Sequence, residues 1–232
     1  MKRYVKAADG LNSKQRIRIA KNSTDPKELA RLAYDNSRLV REEVALNSNT
    51  PANALAKLAN DEDPYTRIHV AANPNTPADT LAQLADDDRE IVRISVATSP
   101  NTPVDILVKI ADADNEWVRQ KVAESTNTPA QVLAHLADDE DYHVREDVAK
   151  NPNTPAQVLA RLAQDDEEFV RENVAENPNT RANVLAKLAN DDDRYVRISV
   201  AANPNTPSNA LAKLANDDDN QVRLYAEANP NL

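Results

Sequence analysis

The residue types best suited to chemistry in this sequence are three histidines, recurrent acidic clusters and a recurrent arginine. His69, His135 and His143 stand at variable positions of a regular pattern, and no Ser lies in a recognisable nucleophile motif. The absence of Cys excludes disulfides and thiolate-ligated metal or iron–sulfur centres. A single Gly, Gly10, excludes a glycine-rich phosphate loop. The sequence therefore predicts a protein that is not an enzyme and needs no cofactor.

The acidic clusters suggest calcium binding at first sight. Asp61-Glu62-Asp63 begins as a calcium-binding loop does, but Pro64 and Ala72 stand where such a loop needs a ligand or a turn, and no Glu closes it. Similar clusters recur in each repeat just before a predicted helix, where negative charge is favoured. We therefore predict that the clusters are structural and that the chain holds no metal.

One Arg recurs every 26 residues along most of the chain. It stands at Arg41, Arg67, Arg93, Arg119, Arg145, Arg171, Arg197 and Arg223. Because this Arg belongs to the repeated framework, we interpret the series as a structural ladder in which each guanidinium pairs with the acidic turn of its own or the next repeat. A row of anion-binding sites is the alternative. The Asn of each Asn-Thr step, such as Asn75, is expected to satisfy backbone groups of its loop.

The 26-residue pattern predicts two short helices per repeat. The first begins at a Thr-Pro step such as Thr50-Pro51, with Thr as the N-cap and Pro in the first turn. The second begins in the acidic turn, as at Asp63-Pro64, and ends before an Asn-Pro step. Helices of about ten residues do not persist alone in water, so the repeats must stack. The sequence therefore predicts an all-α solenoid of about nine repeats.

The two ends of the repeat array depart from its consensus. Tyr4 aligns with the first Leu of the later apolar stripes, so we interpret residues 1–25 as a degenerate N-terminal cap. Glu227 stands in a framework position that is apolar in the preceding repeat, so residues 222–232 are expected to form a polar C-terminal cap. No linker or shift of composition interrupts the pattern. We therefore predict a single repeat domain over residues 1–232.

Charge and composition restrict the partners. The formal net charge is −10 and the isoelectric point is near 4.9, which argues against nucleic acid, because its phosphates require clustered Lys and Arg. A basic protein or peptide is compatible with this charge. No apolar run follows the charged N-terminus, and no stretch approaches the roughly 18 apolar residues that a membrane helix needs. We expect a cytoplasmic protein with neither a membrane nor a nucleic-acid partner.

The repeated string is similar to that of a known family. Val-Arg-x-x-Val-Ala-x-Asn-Pro-Asn-Thr-Pro, followed by x-x-x-Leu-Ala-x-Leu-Ala and an Asp-rich turn, resembles the leucine-rich repeat variant proteins, most clearly at residues 144–163 and 196–215. The Asp-x-Asp-Pro-x-x-Arg step at residues 61–67 also resembles HEAT-type repeats. The resemblance implies a right-handed superhelix in which α-helices alternate with short 3-10 helices. Some members carry an N-terminal iron–sulfur cluster, which a chain without Cys cannot hold.

The positions that vary between repeats predict where a partner binds. The residue just before the Val-Arg step reads Leu39, Tyr65, Ile91, Trp117, His143, Phe169, Tyr195 and Gln221 along the chain. Large rings are concentrated here although aromatic residues make up only 3% of the sequence, and such rings are common in binding hot spots. Drift on a solvated face is the alternative. We predict a recognition strip that consists of Tyr65, His69, Trp117, Lys121, His143, Phe169 and Tyr195.

The predicted function is a non-catalytic scaffold that binds a protein or an extended peptide on the variable face of the Val-Arg helices. A second hypothesis is a HEAT-like nucleic-acid-binding or DNA-repair-type protein, which would need a basic surface. A third is an engineered or consensus repeat array with no evolved partner. Irregularities such as Arg181 in a Pro position and Thr66 in a Val position favour natural drift over design.

Overall fold

The computed structural model of the protein describes residues 10–232. The predicted N-terminal cap falls partly outside this range, and the alignment of Tyr4 lies outside the described residues. Packing divides the described residues into a first unit that ends at Val122 and a second unit, Ala123–Leu232. The single repeat domain over residues 1–232 stays a prediction.

Seventeen α-helices and no strand occur between residues 10 and 232. The odd-numbered helices, called the long helices, have nine or ten residues: α1 (Ser13–Asn22), α3 (Arg38–Leu46), α5 (Pro64–Ala72), α7 (Glu90–Thr98), α9 (Glu116–Glu124), α11 (Tyr142–Lys150), α13 (Glu168–Glu176), α15 (Arg194–Ala202) and α17 (Asn220–Ala228). The even-numbered helices, called the short helices, have seven or eight: α2 (Pro26–Leu32), α4 (Ala52–Leu58), α6 (Ala78–Leu84), α8 (Val104–Ala111), α10 (Ala130–Leu136), α12 (Ala156–Leu162), α14 (Ala182–Leu188) and α16 (Ser208–Leu214). None of these seventeen has the length and apolar character that crossing a membrane requires.

The long helices begin and end where the sequence predicts. The Asp63 side chain accepts a hydrogen bond from the backbone N–H of Thr66 at 3.1 Å, and Pro64 occupies the first turn of α5. The last residue of α5 is Ala72. The helix does not continue through Asn73, because Asn73 precedes Pro74 and a residue before Pro is disfavoured in the helical conformation. The same kind of Asp cap occurs at Asp141, Asp193 and Asp219.

The short helices begin one residue later than the sequence predicts. Pro51, not Thr50, is the N-cap of α4, and no side chain caps the helix. Thr50 is fully buried, and its hydroxyl donates to the carbonyl oxygen of Val44 at 2.5 Å. The prediction of a Thr cap is therefore wrong, because this hydroxyl instead bonds a carbonyl in the last turn of the preceding long helix, which also accepts from the backbone N–H of Asn47.

The short helices are α-helical, as the long helices are, whereas the family resemblance implies that α-helices alternate with short 3-10 helices. In α4 the backbone N–H of Leu55 donates to the carbonyl oxygen of Pro51 at 3.2 Å, which is an α-helical bond. Bonds of the 3-10 type occur at its two ends, from Ala54 to Pro51 at 2.9 Å and from Asn60 to Lys57 at 3.2 Å. The 3-10 geometry thus tightens the first and last turns of α4 and does not form the helix itself.

Each repeat buries the same few apolar side chains. Leu55 and Leu58 of α4 and Val70 and Ala71 of α5 are all 0% exposed. Successive long helices pack on one another, α3 on α5 and α5 on α7 in the first unit, and α11 on α13 and α13 on α15 in the second. A single repeat has too few such side chains to fold alone, so neighbours must bury each other's faces. This packing confirms the predicted all-α solenoid of repeated helix pairs.

Asn side chains join the loops of successive repeats. Asn73 Nδ2 donates to the carbonyl oxygens of Ala45 at 2.7 Å and Asn47 at 3.0 Å, and Asn73 is 3% exposed. Asn75, for which the sequence predicts a role in the loop, donates to the carbonyl oxygen of Ser48 at 2.6 Å. The second Asn of the Asn-Pro-Asn string thus has the predicted kind of role, whereas the first, which is the buried one, was not predicted.

Candidate functional site

Arg41 joins two successive acidic turns of the first unit. Its Nε and Nη2 donate to the Asp61 carboxylate at 2.6 and 3.0 Å, and its Nη1 donates to the carbonyl oxygen of Asp35 at 3.0 Å. The side chains of Arg41 and Asp61 are each 2% exposed. Charge-assisted, two-pronged bonds of this kind are strong, so the guanidinium ties its own turn to the next one. Equivalent pairs in this unit are Arg16–Asp35 and Arg67–Asp87.

The same pairing recurs in the second unit. Arg171 donates to the Asp191 carboxylate at 2.8 and 3.0 Å and to the carbonyl oxygen of Asp165 at 2.8 Å. Burial alone would raise the pKa of Asp191, but the bonds from Arg171 and from the N–H of Asp193 outweigh it, and the pKa lies below its usual range. The other pairs are Arg145–Asp165 and Arg197–Asp217.

Three further Arg of the predicted ladder make backbone bonds. Arg93 donates to the carbonyl oxygen of Asp87 at 2.7 Å, but Ala113 stands where the pairs above have their Asp, 20 residues after the Arg. Arg119 donates to the carbonyl oxygen of Ala113 at 2.9 Å. Arg223, in the last repeat, donates to the carbonyl oxygen of Asp217 at 2.6 Å. A purely structural role for the whole series stays a prediction.

The second residue of each long helix from α3 onward forms what we call the variable row. In the first unit the row consists of large side chains that are 48% to 59% exposed, namely Leu39, Tyr65, Ile91 and Trp117. His69 and Lys121 each lie one turn further along their helix and are partly buried. The Nε2 of His69 lies 3.4 Å from Oε1 of Glu42. The first unit therefore presents an exposed apolar row with flanking polar groups.

In the second unit the variable row consists of His143, Phe169, Tyr195 and Gln221. Phe169 is 50% and Tyr195 is 49% exposed, and His143 and Gln221 are exposed too. The guanidinium of Arg194 lies over the Tyr195 ring, 4.6 Å from its centroid, and donates to the Tyr195 hydroxyl at 2.9 Å. This row is thus less apolar than that of the first unit, and one of its rings already accepts a cation.

Carboxylates accompany the variable row in the second unit. Glu146 Oε1 accepts a hydrogen bond from Lys150 Nζ at 2.6 Å, and its side chain is 18% exposed. Burial raises the pKa of Glu172, and the carboxylates of Glu176, Asp193 and Glu146 raise it further. Negative charge is therefore crowded between α11 and α13.

These carboxylates are not among the residues predicted from the sequence. Glu146 and Glu172 occupy a position one turn after the variable row, which Glu42, Ile68 and Ile94 fill in earlier repeats. The signal that could have found them is Glu at the same repeat position in two successive long helices.

Open grooves also lie beside the acidic turns. One of about 500 Å³ is lined by residues that include Asp61, Glu62, Arg67, Asp87 and Arg89. Acids of this groove already pair with the recurrent Arg residues. Arg67, for example, pairs with Asp87 of the same groove at 2.6 Å. Within residues 10–232, no three His or carboxylate side chains are arranged to hold a metal ion.

Comparison with known proteins agrees with this architecture. The family model described as Leucine Rich Repeat Variant domain matches residues 143–197, and the model described as Leucine rich repeat variant matches residues 38–63, 66–89 and 194–219. No curated protein matches the chain.

Among solved structures, a leucine-rich repeat variant described as having a novel repetitive structural motif is 29% identical, with a TM-score of 0.70 over 95% of this chain and 87% of that one. The X-ray structure of the Escherichia coli protein YibA is 18% identical, with a TM-score of 0.49 over 97% of this chain and 98% of that one. An engineered protein is 16% identical, with a TM-score of 0.43 over 91% of this chain and 81% of that one. The two family models together match more than half of the residues, and the first of these structures shares the fold. The chain therefore belongs to the leucine-rich repeat variant family.

Proposed function

We propose that this protein is a non-catalytic scaffold that binds a protein or an extended peptide on the variable row. One observation carries the proposal. Within residues 10–232, six large apolar side chains that are about half exposed share one position of the repeat: Leu39, Tyr65, Ile91, Trp117, Phe169 and Tyr195. Their neighbours in the framework, such as Val70, are fully buried, so the exposed residues are not needed to fill the core.

The exposed rings would contribute substantially to binding. A large aromatic side chain buries 150–250 Å² in total, so covering the exposed half of one ring removes roughly 100 Å² from water, worth about 2–3 kcal/mol. Tyr65 and Trp117 in the first unit, or Phe169 and Tyr195 in the second, could therefore anchor a partner as hot-spot residues do.

We infer that the variable row lies on the inner side of each unit. In each unit by itself, successive long helices pack closely on one another, whereas successive short helices make fewer contacts. Because the long helices pack more closely on one another than the short helices do, each unit should curve toward its long helices. This curvature supports a variable row on the concave side of each unit.

An extended peptide matches the spacing of the row. Neighbouring packed helices lie about 8–10 Å apart, and an extended chain advances about 3.3 Å per residue. One side chain in about every three could therefore meet each row residue. A nucleic-acid partner is not proposed, because Glu146, Glu172 and Glu176 beside the row would repel phosphates.

The test compares binding by variants of the row with a matched control. Tyr65→Ala with Trp117→Ala removes two row residues, and Val104→Ala with Val108→Ala removes two side chains of α8 that are 44% and 43% exposed. A partner captured by the unaltered protein should be lost by the row variant, with affinity reduced by roughly 2 kcal/mol or more, and kept by the control. Circular dichroism should show the same helical signal for all three. Equal binding by the row variant and the unaltered protein would contradict the proposal.

A further inference from the structure

The variable row of the second unit differs in chemistry from that of the first. In the first unit, the position one turn after the row holds Glu42 in α3, Ile68 in α5 and Ile94 in α7, and Glu42 faces His69. In the second unit the same position holds Glu146 in α11 and Glu172 in α13 before it becomes Ile198 in α15, so two successive helices are acidic here, and Glu176 follows one turn later. Because the framework is the same, this contrast arises from the side chains themselves and not from the architecture.

The carboxylates of this face are held in place by neighbouring repeats. Glu146 Oε1 accepts from Asn173 Nδ2 at 3.4 Å as well as from Lys150 Nζ at 2.6 Å. Glu176 Oε1 accepts from the Ser199 hydroxyl at 3.2 Å. These bonds join α11 to α13 and α13 to α15, so two of the carboxylates are pre-positioned beside the row before any partner binds.

The cations described near this face already have partners, among them Arg194, which bonds the Tyr195 hydroxyl and pairs with Asp219. The Arg of α11 and α13, Arg145 and Arg171, pair with Asp165 and Asp191 in the acidic turns. Lys150 is bound to Glu146 and its side chain is 49% exposed. The raised pKa of Glu172 reflects its burial and the charges of its carboxylate neighbours, which outweigh the opposing influence of Lys150. A cationic side chain delivered from outside would relieve this repulsion.

Building on the proposed function, we propose that the second unit binds an extended peptide segment that carries Arg or Lys at about every third residue. The cationic groups are accepted among Glu146, Glu172 and Glu176, and the apolar side chains of the segment pack on Phe169 and Tyr195. The Tyr195 ring already takes a guanidinium, that of Arg194, on its face, which is the contact that an incoming Arg would repeat. The net charge of −10 also favours encounter with a basic partner.

The test uses the full chain and a synthetic peptide, acetyl-(Arg-Thr-Leu)₄-amide, in a calorimetric titration at about 0.15 M salt. Glu146→Gln, Glu172→Gln and Glu176→Gln are combined in one variant. The matched control combines Asp166→Asn, Asp192→Asn and Asp218→Asn, three exposed turn acids of the same unit, with the same change of net charge. We expect the Gln variant to bind at least about tenfold more weakly and the control to change less than about threefold, because only the first removes charges at the site.

A second peptide, with citrulline in place of Arg, keeps the shape and removes the charge. It should bind the unaltered protein at least about tenfold more weakly. The inference is overturned if the Arg peptide does not bind, if the Gln variant weakens binding no more than the control does, or if the citrulline peptide binds equally well.

A Phe169→Ala, Tyr195→Ala variant separates the two proposals. If it weakens binding while the Gln variant does not, the docking surface stands and only the basic partner is wrong. If neither variant changes binding of the peptide, the proposed function also fails for this unit.

Discussion

At the scale of single residues, the repeat that contains Arg93 lacks one contact of the framework, because residue 113 is Ala and not Asp. In most described repeats an Arg bonds both the carbonyl of its own turn and the carboxylate of the following one, as Arg41 does with Asp35 and Asp61. Arg93 keeps the carbonyl bond, but Ala113 cannot supply the carboxylate. The sequence shows this gap at once, because the acidic residue is missing at a fixed spacing. It does not show how deeply the other pairs are buried.

Ala113→Asp should restore the missing pair and stabilise the first unit by about 1 kcal/mol, as consensus substitutions often do. The stabilisation should disappear when Arg93→Ala is present, because the new carboxylate then lacks its partner. The measurement is a double-mutant cycle in urea unfolding. An equal gain with and without Arg93 would show that the pair is not the cause.

The paired carboxylates also make stability depend on pH. The pKa of Asp61, Asp165 and Asp191 lies below the ordinary value of 3.8, because the bonds from Arg outweigh the effect of burial. Their stabilisation is complete above that ordinary pKa and is lost as the pH falls through the lower folded value. The contribution of these groups to the urea midpoint should therefore be constant from pH 7 to about pH 5. It should decrease when the pH falls below about 4.

Glu172 should behave in the opposite sense. Its pKa is raised in the folded protein, so its charged form destabilises the fold above that pKa, and the penalty vanishes once the group is protonated. Glu172→Gln should therefore raise the urea midpoint at pH 7 and leave it unchanged near pH 3. A lower midpoint at pH 7 would mean that Glu172 is needed for folding and not for a partner.

The boundaries of the helices illustrate, at the scale of elements, which features local chemistry decides. Asp63 and Pro64 begin α5 as predicted, because both effects act within the first turn of the helix itself. Thr50 could not be placed in the same way, because the acceptor of its hydroxyl belongs to the preceding helix. The buried Asn73 was missed for a related reason, since its carbonyl acceptors lie 26 and 28 residues earlier in the chain.

Thr154 tests this account of the short helices. Its hydroxyl donates to the carbonyl oxygen of Val148 at 2.6 Å, and the residue is 1% exposed. Thr154→Asp would be harmless at an N-cap, but here it buries a carboxylate against a carbonyl and should cost more than about 2 kcal/mol. Thr154→Ser keeps the donor and should cost less than Thr154→Asp in urea unfolding. Equal stability of the Asp and Ser variants would restore the N-cap interpretation.

At the scale of the whole molecule, the sequence contained the repeat, the helix pairs and the family, because a strict period leaves few alternatives for packing. It also showed that rings such as Trp117 and Phe169 share one position. It could not show that they are half exposed, because exposure depends on how each long helix sits against its neighbours. The contrast between Ile94 in the first unit and Glu172 in the second became meaningful only after both positions were seen beside the row.

The most direct test of the central claim is to map where a partner touches the surface. A photo-crosslinking residue is placed at Tyr65 or Phe169 in the variable row, or at the control positions Val108 and Lys187 on the short helices α8 and α14. The account predicts crosslinks to the captured partner from at least one of the two row positions and none from the short helices. Crosslinks from Val108 or Lys187, with none from Tyr65 or Phe169, would contradict recognition by the variable row and place recognition on the short helices.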